Sequence, residues 1–262
     1  MIRPLKSLAA AALILVAAPA ASPAQAGTIV GGSSMLGASE LTQLETWLGQ
    51  GPLTLTNIFT KGVDGTTGAE WHAAVDGQGA TFSVLQIVMN LPGAGTVTQV
   101  VGGYNPQSWN SSGNYNITSD DADRTAFIFN LTTGIVQYQC KTTDPLICGF
   151  DTDNNNLFGR NQTYNDPTYG PTFGNGHDLY VNATLSGGTS RNSSYDIPGG
   201  LVGSGDENGL DPNPNAFIFS AVLALETFTI AAAPAEVPEP APLALLAVGL
   251  LALGAVRRKR AA

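Results

Sequence analysis

The stretch that decides the fold is TVTQVVGGYNPQSW, from Thr96 to Trp109, followed after a polar connection by TAFIFNL, from Thr125 to Leu131. In the second run Phe127, Phe129 and Leu131 fall on one face and Ala126, Ile128 and Asn130 on the other. A repeat of two is the mark of a strand with one face buried. Gly102 and Gly103 let the backbone bend or be approached where a side chain would block it. Tyr104 and Trp109 supply large apolar area beside them.

Outward from this centre the pattern stays mainly β. Leu53–Thr60 alternates like a strand, and Thr81–Met89 is apolar on both faces, as a central strand is. Thr132–Gly134 reads as a tight turn that brings a strand over 135–140 back on its neighbour. Leu179–Leu185 alternates cleanly, and 216–230 closes the domain with one long or two short strands. Two short helices interrupt the strands. Ser39–Leu48 carries Leu41, Leu44 and Leu48 as one stripe, with Ser39 placed to cap it and Gly49 to end it. Gly68–Val75 carries Trp71 and Val75 on one side and is stopped by Asp76-Gly77. The segments 144–174 and 187–215 read as long polar loops.

The two ends read as addresses. Residues 1–26 combine Arg3 and Lys6, an apolar run and Ala24-Gln25-Ala26, the order of an export signal cut before Gly27. Near the other end Pro238-Glu239-Pro240 precedes an apolar run over 241–256 and then Arg257-Arg258-Lys259-Arg260. That run is short for a membrane span, which usually needs about 20 residues. The basic cluster would stay on the cytoplasmic side, leaving the preceding domain outside. This tail resembles the PEP-CTERM sorting signal of exosortase-processed bacterial proteins. The resemblance implies export, a transient inner-membrane intermediate, cleavage near the motif, and delivery to the cell surface or the extracellular matrix of a Gram-negative bacterium. Its implied partners are the export machinery and an exosortase-type enzyme.

Residues 27–235 then form the body, with the signal at 1–26 and the sorting signal at 236–262. Six of the 11 basic residues lie in the ends, which leaves five against eighteen acids and a net charge near −13 for the body. Such a surface repels phosphate backbones, so nucleic acid is excluded as a partner. Cys140 and Cys148 flank a short loop and, in an oxidising compartment, read as a disulfide.

Taken in order, the motifs of the body resemble the TLDc family. Leu41–Leu48 is similar to its lead helix, and Leu55 to Asp64-Gly65 to its first strand and turn. Trp71-His72 to Asp76-Gly77 resembles the next helix, and Thr81–Val88 the strand after it. Gly102-Gly103-Tyr104 with Trp109 resembles its Phe-Gly-Gly-Tyr and Trp hallmark, with Val101 in place of the Phe. Phe127-Ile128-Phe129, the Gly174–Leu179 turn and Leu225-Glu226-Thr227-Phe228 complete the series. The resemblance implies a β-sandwich of two antiparallel sheets flanked by short helices, to which the N- and C-terminal apolar targeting helices are added. It links such domains to oxidative-stress resistance and to a vacuolar proton pump in the eukaryotic cytosol. That pump role does not transfer to an exported acidic chain, and no established catalytic residues come with the family.

Candidate sites are sparse. His177-Asp178 offers a ligand or a base, and Glu226 is a carboxylate within an apolar strand; each is equally readable as structural. Asp151, Asp153 and Asn155 open like a calcium loop, but Asn156 replaces the Gly and Gln162 the bidentate Glu of that pattern. The expectation is a binding or structural module for an envelope or matrix polysaccharide or protein, with no cofactor. The competing readings are a hydrolase or antioxidant enzyme using Glu226 and His177 in one cleft, and a calcium-linked adhesin.

Overall fold

The computed structural model describes residues 26–91, 95–142, 157–191, 193–195 and 217–234. Its strands are β1 (Thr28–Val30), β2 (Leu53–Thr60), β3 (Thr81–Leu91), β4 (Gly95–Asn105), β5 (Tyr115–Ile117), β6 (Phe127–Asn130), β7 (Ile135–Tyr138), β8 (Asn161–Tyr164), β9 (Leu179–Val181), β10 (Gly188–Ser190) and β11 (Phe217–Ala232). The helices are α1 (Ala38–Leu48), α2 (Gly68–Val75) and the single turn α3 (Leu157–Arg160). The protein is mainly β, with two sheets and short flanking helices. The nine-stranded sheet runs β1-β2-β11-β3-β4-β6-β7, with β10 joined to β11 and β9 to β10, while β5 and β8 form a two-stranded ribbon. All pairings are antiparallel except β1 with β2.

β3 lies at the centre of this path, which explains why its apolar residues do not alternate with polar ones. Phe82 and Val84 face one core, together with Phe127, Phe129, Phe228 and the α1 residues Leu41 and Leu44. Leu85, Ile87 and Met89 face the other, with Trp71 and Val75 of α2, Trp109, Phe173 and Ile128. The expectation of one buried face for Phe127–Asn130 therefore needs correction, since all four residues are buried. α1 packs on one side of the middle of the sheet and α2 on the other.

Close approach explains the glycine pair. Gly103 is backed by the Phe173 ring, which would lie 2.5 Å from an added Cβ, and Gly102 by the Phe129 ring at the same separation. Rings from the two cores thus press on β4 from opposite sides. On the Trp side, the ring nitrogens find hydroxyl partners. Trp71 Nε1 donates to Thr227 Oγ1 at 2.9 Å and Trp109 Nε1 to Thr81 Oγ1 at 2.9 Å. The two indoles meet edge to face, with centroids 4.9 Å apart.

Helix boundaries follow local chemistry. α2 is capped by Thr67, whose Oγ1 accepts from Glu70 N, while Glu70 Oε2 accepts from Thr67 N at 3.0 Å. That is a reciprocal capping box. α1 starts one residue earlier than expected. Gly37, not Ser39, is its cap residue, and Glu40 Oε2 accepts from Gly37 N at 2.9 Å. Ser39 sits in the first turn and donates to Glu40 instead. The cleanly alternating 179–185 run shortens to three strand residues. Asn182 Oδ1 accepts from Ser186 N at 3.0 Å, and Leu185 takes φ 49°, so an asparagine-led turn replaces the rest of the strand. The expected polar loop before Gly174 contains α3 and β8. The targeting segments, and the second half of the other long loop, lie outside the described residues. Among the described residues no helix is long and apolar enough to cross a membrane.

Adding a methyl group at the ring-backed glycines overfills the core. Gly102→Ala and Gly103→Ala are each expected to lower unfolding free energy by about 1–3 kcal/mol in urea titrations. Val63→Ala, at a side chain 80% exposed, is expected to change it by no more than about 0.5 kcal/mol.

Candidate functional site

The turn that joins β8 to β9 carries the sequence-nominated pair His177 and Asp178. It is held tightly. Phe173 N donates to Leu179 O at 2.8 Å, Gly174 N to Gln162 O at 3.0 Å and His177 N to Gly174 O at 3.3 Å. Gly174 takes φ 79°, and a Cβ there would collide with the Asp178 carboxylate. His177 takes φ 60°, one of two described non-glycine residues in the left-handed region. Such a backbone costs on the order of 1–3 kcal/mol and persists where its surroundings over-determine it.

Asp178 is fully buried. Its carboxylate accepts from Ser193 N and from Ser194 N, the latter at 3.0 and 3.1 Å to its two oxygens. Its backbone carbonyl accepts from Ser190 Oγ at 2.9 Å. Burial pushes the carboxyl up to about 7, against the pull of the backbone N–H groups of Ser194 and Ser193. Asp178 therefore ties β9 to the segment after β10 and points inward, not at solvent.

His177 does the opposite. Its ring is half-buried and stacks between Tyr164, at 5.8 Å and 25°, and Tyr180, at 5.0 Å and 22°. Tyr169 lies across the stack, 4.9 Å from Tyr180 and 6.1 Å from His177. Tyr115 extends the row from Tyr164 at 4.7 Å, since the two residues pair directly across β5 and β8. Burial lowers the His177 imidazole pKa, with Arg191 acting in the same direction and Asp166 opposing. Burial raises the phenols of Tyr115 and Tyr180. The His177 imidazole is thus biased toward its neutral form. None of the row's tyrosines was nominated from sequence, because they come from β5, β8, a loop and β9, with no shared spacing.

Glu226 sits elsewhere in the network of contacts. It pairs with Thr60 of β2 and Val84 of β3 in register and is 2% exposed. Its Oε1 accepts from Ser34 N at 2.8 Å and Ser34 Oγ at 2.7 Å, and its Oε2 accepts from Ser33 Oγ. Ser33 Oγ also accepts from Leu36 N at 2.8 Å. Glu226 thus fastens the lead-in to α1 onto the sheet. No hydrogen bond or ring contact joins it to His177. The other histidine, His72, is buried, with Nδ1 2.6 Å from Asp76 Oδ1, and its Nε2 has no hydrogen-bond partner among the described residues. Ser111 Oγ donates to the second Asp76 oxygen at 2.7 Å.

Among the described residues no group of three or more potential metal ligands occurs. Asp151, Asp153 and Asn155 lie outside the described residues, as do Pro238, Glu239 and Pro240. Cys140 is buried, and its N–H donates to Ser194 O at 3.0 Å; Cys148 lies outside the described residues.

A family model described as TLDc domain matches residues 29–200. A second, described as PEP-CTERM protein-sorting motif, matches residues 236–260. No curated protein matches the chain in a sequence comparison.

The raised Asp178 carboxyl makes stability depend on pH. The unfolded chain releases this proton near 3.8 and the folded chain near 7. Between those values the folded state holds the extra proton, so the Asp178 contribution falls as pH rises, by at most about 1.4 kcal/mol per unit. His177 acts in the opposite sense, its lowered pKa costing stability as pH falls. Urea midpoints at about pH 5 and about pH 8 are expected to separate the two effects. Relative to the parent, Asp178→Asn gains stability at the higher pH and loses the downward component.

Proposed function

The chain belongs to the TLDc-domain family, and we propose that it is a non-enzymatic binding module that works at the cell surface or in the extracellular matrix. Its PEP-CTERM motif marks it as an exported bacterial protein directed to exosortase-type processing at the envelope. We extend this to a passage through the inner membrane of a Gram-negative cell, with the signal at 1–26, the working body at 27–235 and the sorting tail at 236–262. A Cys140–Cys148 disulfide, read from the short loop between them in an oxidising compartment, and a role under oxidative stress, implied by the family resemblance, are parts of the same proposal.

The single observation that carries a binding reading is the partly exposed aromatic row around His177. The polar groups nominated for catalysis support it by what they already hold. Glu226 accepts three hydrogen bonds from Ser33 and Ser34, and the Asp178 carboxylate accepts from the backbone N–H groups of Ser193 and Ser194. Both are buried, whereas a general base must lie within reach of a substrate proton.

Localisation tests the reading. A tagged full-length chain is expected in surface and medium fractions with a mass lacking the segment after the Pro238-Glu239-Pro240 motif. Deletion of residues 236–262 is expected to abolish surface retention, and an unprocessed chain held in the cytoplasm would overturn the proposal. Peptide mapping of the surface form without reductant is expected to yield one cross-linked peptide joining Cys140 to Cys148.

A further inference from the structure

We propose that the row formed by Tyr115, Tyr164, His177 and Tyr180, with Tyr169 set across it, is a platform that binds a neutral polysaccharide chain. The inference rests on the binding-module reading and names its ligand class.

Three observations carry it. The first is exposure. Trp71, Trp109, Phe173, Phe82, Phe127 and Phe129 are 0–1% exposed. All five residues of this row are partly buried and keep some surface in water. Large rings stabilise a core by leaving solvent, so a contiguous row that stays partly exposed marks a contact surface.

The second is construction. Three pieces of chain converge to make the row, Tyr115 on β5, Tyr164 with Tyr169, and His177 with Tyr180, and the piece bearing His177 does so in a left-handed backbone pinned by a buried carboxylate. A loop free to relax would avoid both costs. The rings brace one another at 4.7–6.2 Å, so little side-chain freedom remains to be lost when a ligand arrives.

The third is charge. The row is set in a domain with a large acidic excess, which repels anionic polymers. Offset ring faces with phenol hydroxyls at their margins match the alternating C–H patches and hydroxyls of a neutral sugar chain. Tyr115 Oη, already donating to Asn175 O at 3.0 Å, keeps acceptor lone pairs for such hydroxyls.

Affinity electrophoresis of the full-length chain in detergent provides the test, with gels containing neutral α- and β-glucans, galactans, mannans and xylans, and alginate as the anionic arm. Retardation is expected in at least one neutral gel and not in alginate. Tyr164→Ala and Tyr180→Ala are expected to weaken binding about tenfold each, the usual effect of removing a tyrosine anchor, while Tyr180→Phe retains most of it. Melting curves check that the variants are folded. Should they fail to fold, saturation-transfer NMR on the parent protein replaces them, with transfer expected between sugar protons and tyrosine rings. No retardation in any neutral gel, binding to alginate alone, or binding unchanged in both alanine variants overturns the proposal. If the chain still reaches the surface while no neutral polymer binds, the ligand class fails and the surface-module reading stands.

Discussion

The constraint on which the structure depends is that β3 and β4 are buried on both faces at once. A strand in that position cannot carry side chains of arbitrary size, because rings approach from each side. Gly102 and Gly103 answer this by presenting no side chain where Phe129 and Phe173 press in. Hydroxyls answer the accompanying polar requirement. Thr81 and Thr227 take the two indole N–H groups that would otherwise be buried without partners. An unpaired buried donor costs about 1–3 kcal/mol, so these small residues decide whether the tryptophan side of the core can close.

That packing extends directly to the candidate site. Phe173, whose ring lies on Gly103, also bridges to Thr163 of β8 and Leu179 of β9. The residue that fills the core is thus the residue that positions both ends of the His177 turn. The two-stranded ribbon is drawn in by polar contacts as well. Gln162 Nε2 donates to Asn105 Oδ1 at 3.1 Å, and Tyr195 Oη donates to Gln162 O at 2.6 Å. The aromatic row therefore stands on rigid elements although much of it lies in connections between strands.

The legible part of the fold was the part driven by apolar pattern. The central strand over 81–89, the helix stripe Leu41–Leu44 and the Gly102-Gly103 approach all follow from the spacing of large and absent side chains. What was not legible was set by polar contacts distant in sequence. Tyr115-Asn116-Ile117 and Asn161-Gln162-Thr163-Tyr164 have no apolar alternation, and they pair because Gln107, Thr118 and Gln139 complete a buried amide network around them. The partners of Glu226 were invisible for the same reason, since Ser33 and Ser34 lie almost the whole body away in sequence. At Leu185 the local chemistry of Asn182 overrode a correct-looking alternation. The His177-Asp178 pair was nominated as one chemical unit, whereas adjacent residues in this turn point to different media, one into the core and one to the surface.

Two buried carboxylates illustrate how this fold uses charge. Glu226 and Asp178 each collect N–H donors from a segment with no strand of its own at that point, Ser34 in one case and Ser193 with Ser194 in the other. In both, a side chain does what a ladder partner does elsewhere, satisfying backbone groups that burial would leave unpaired. A buried carboxylate with such donors is held in one geometry, which suits an anchor. By contrast, the rings around His177 hold few polar bonds and keep their surfaces partly open. The two buried carboxylates are committed to holding the chain together, while the aromatic row keeps part of its surface open.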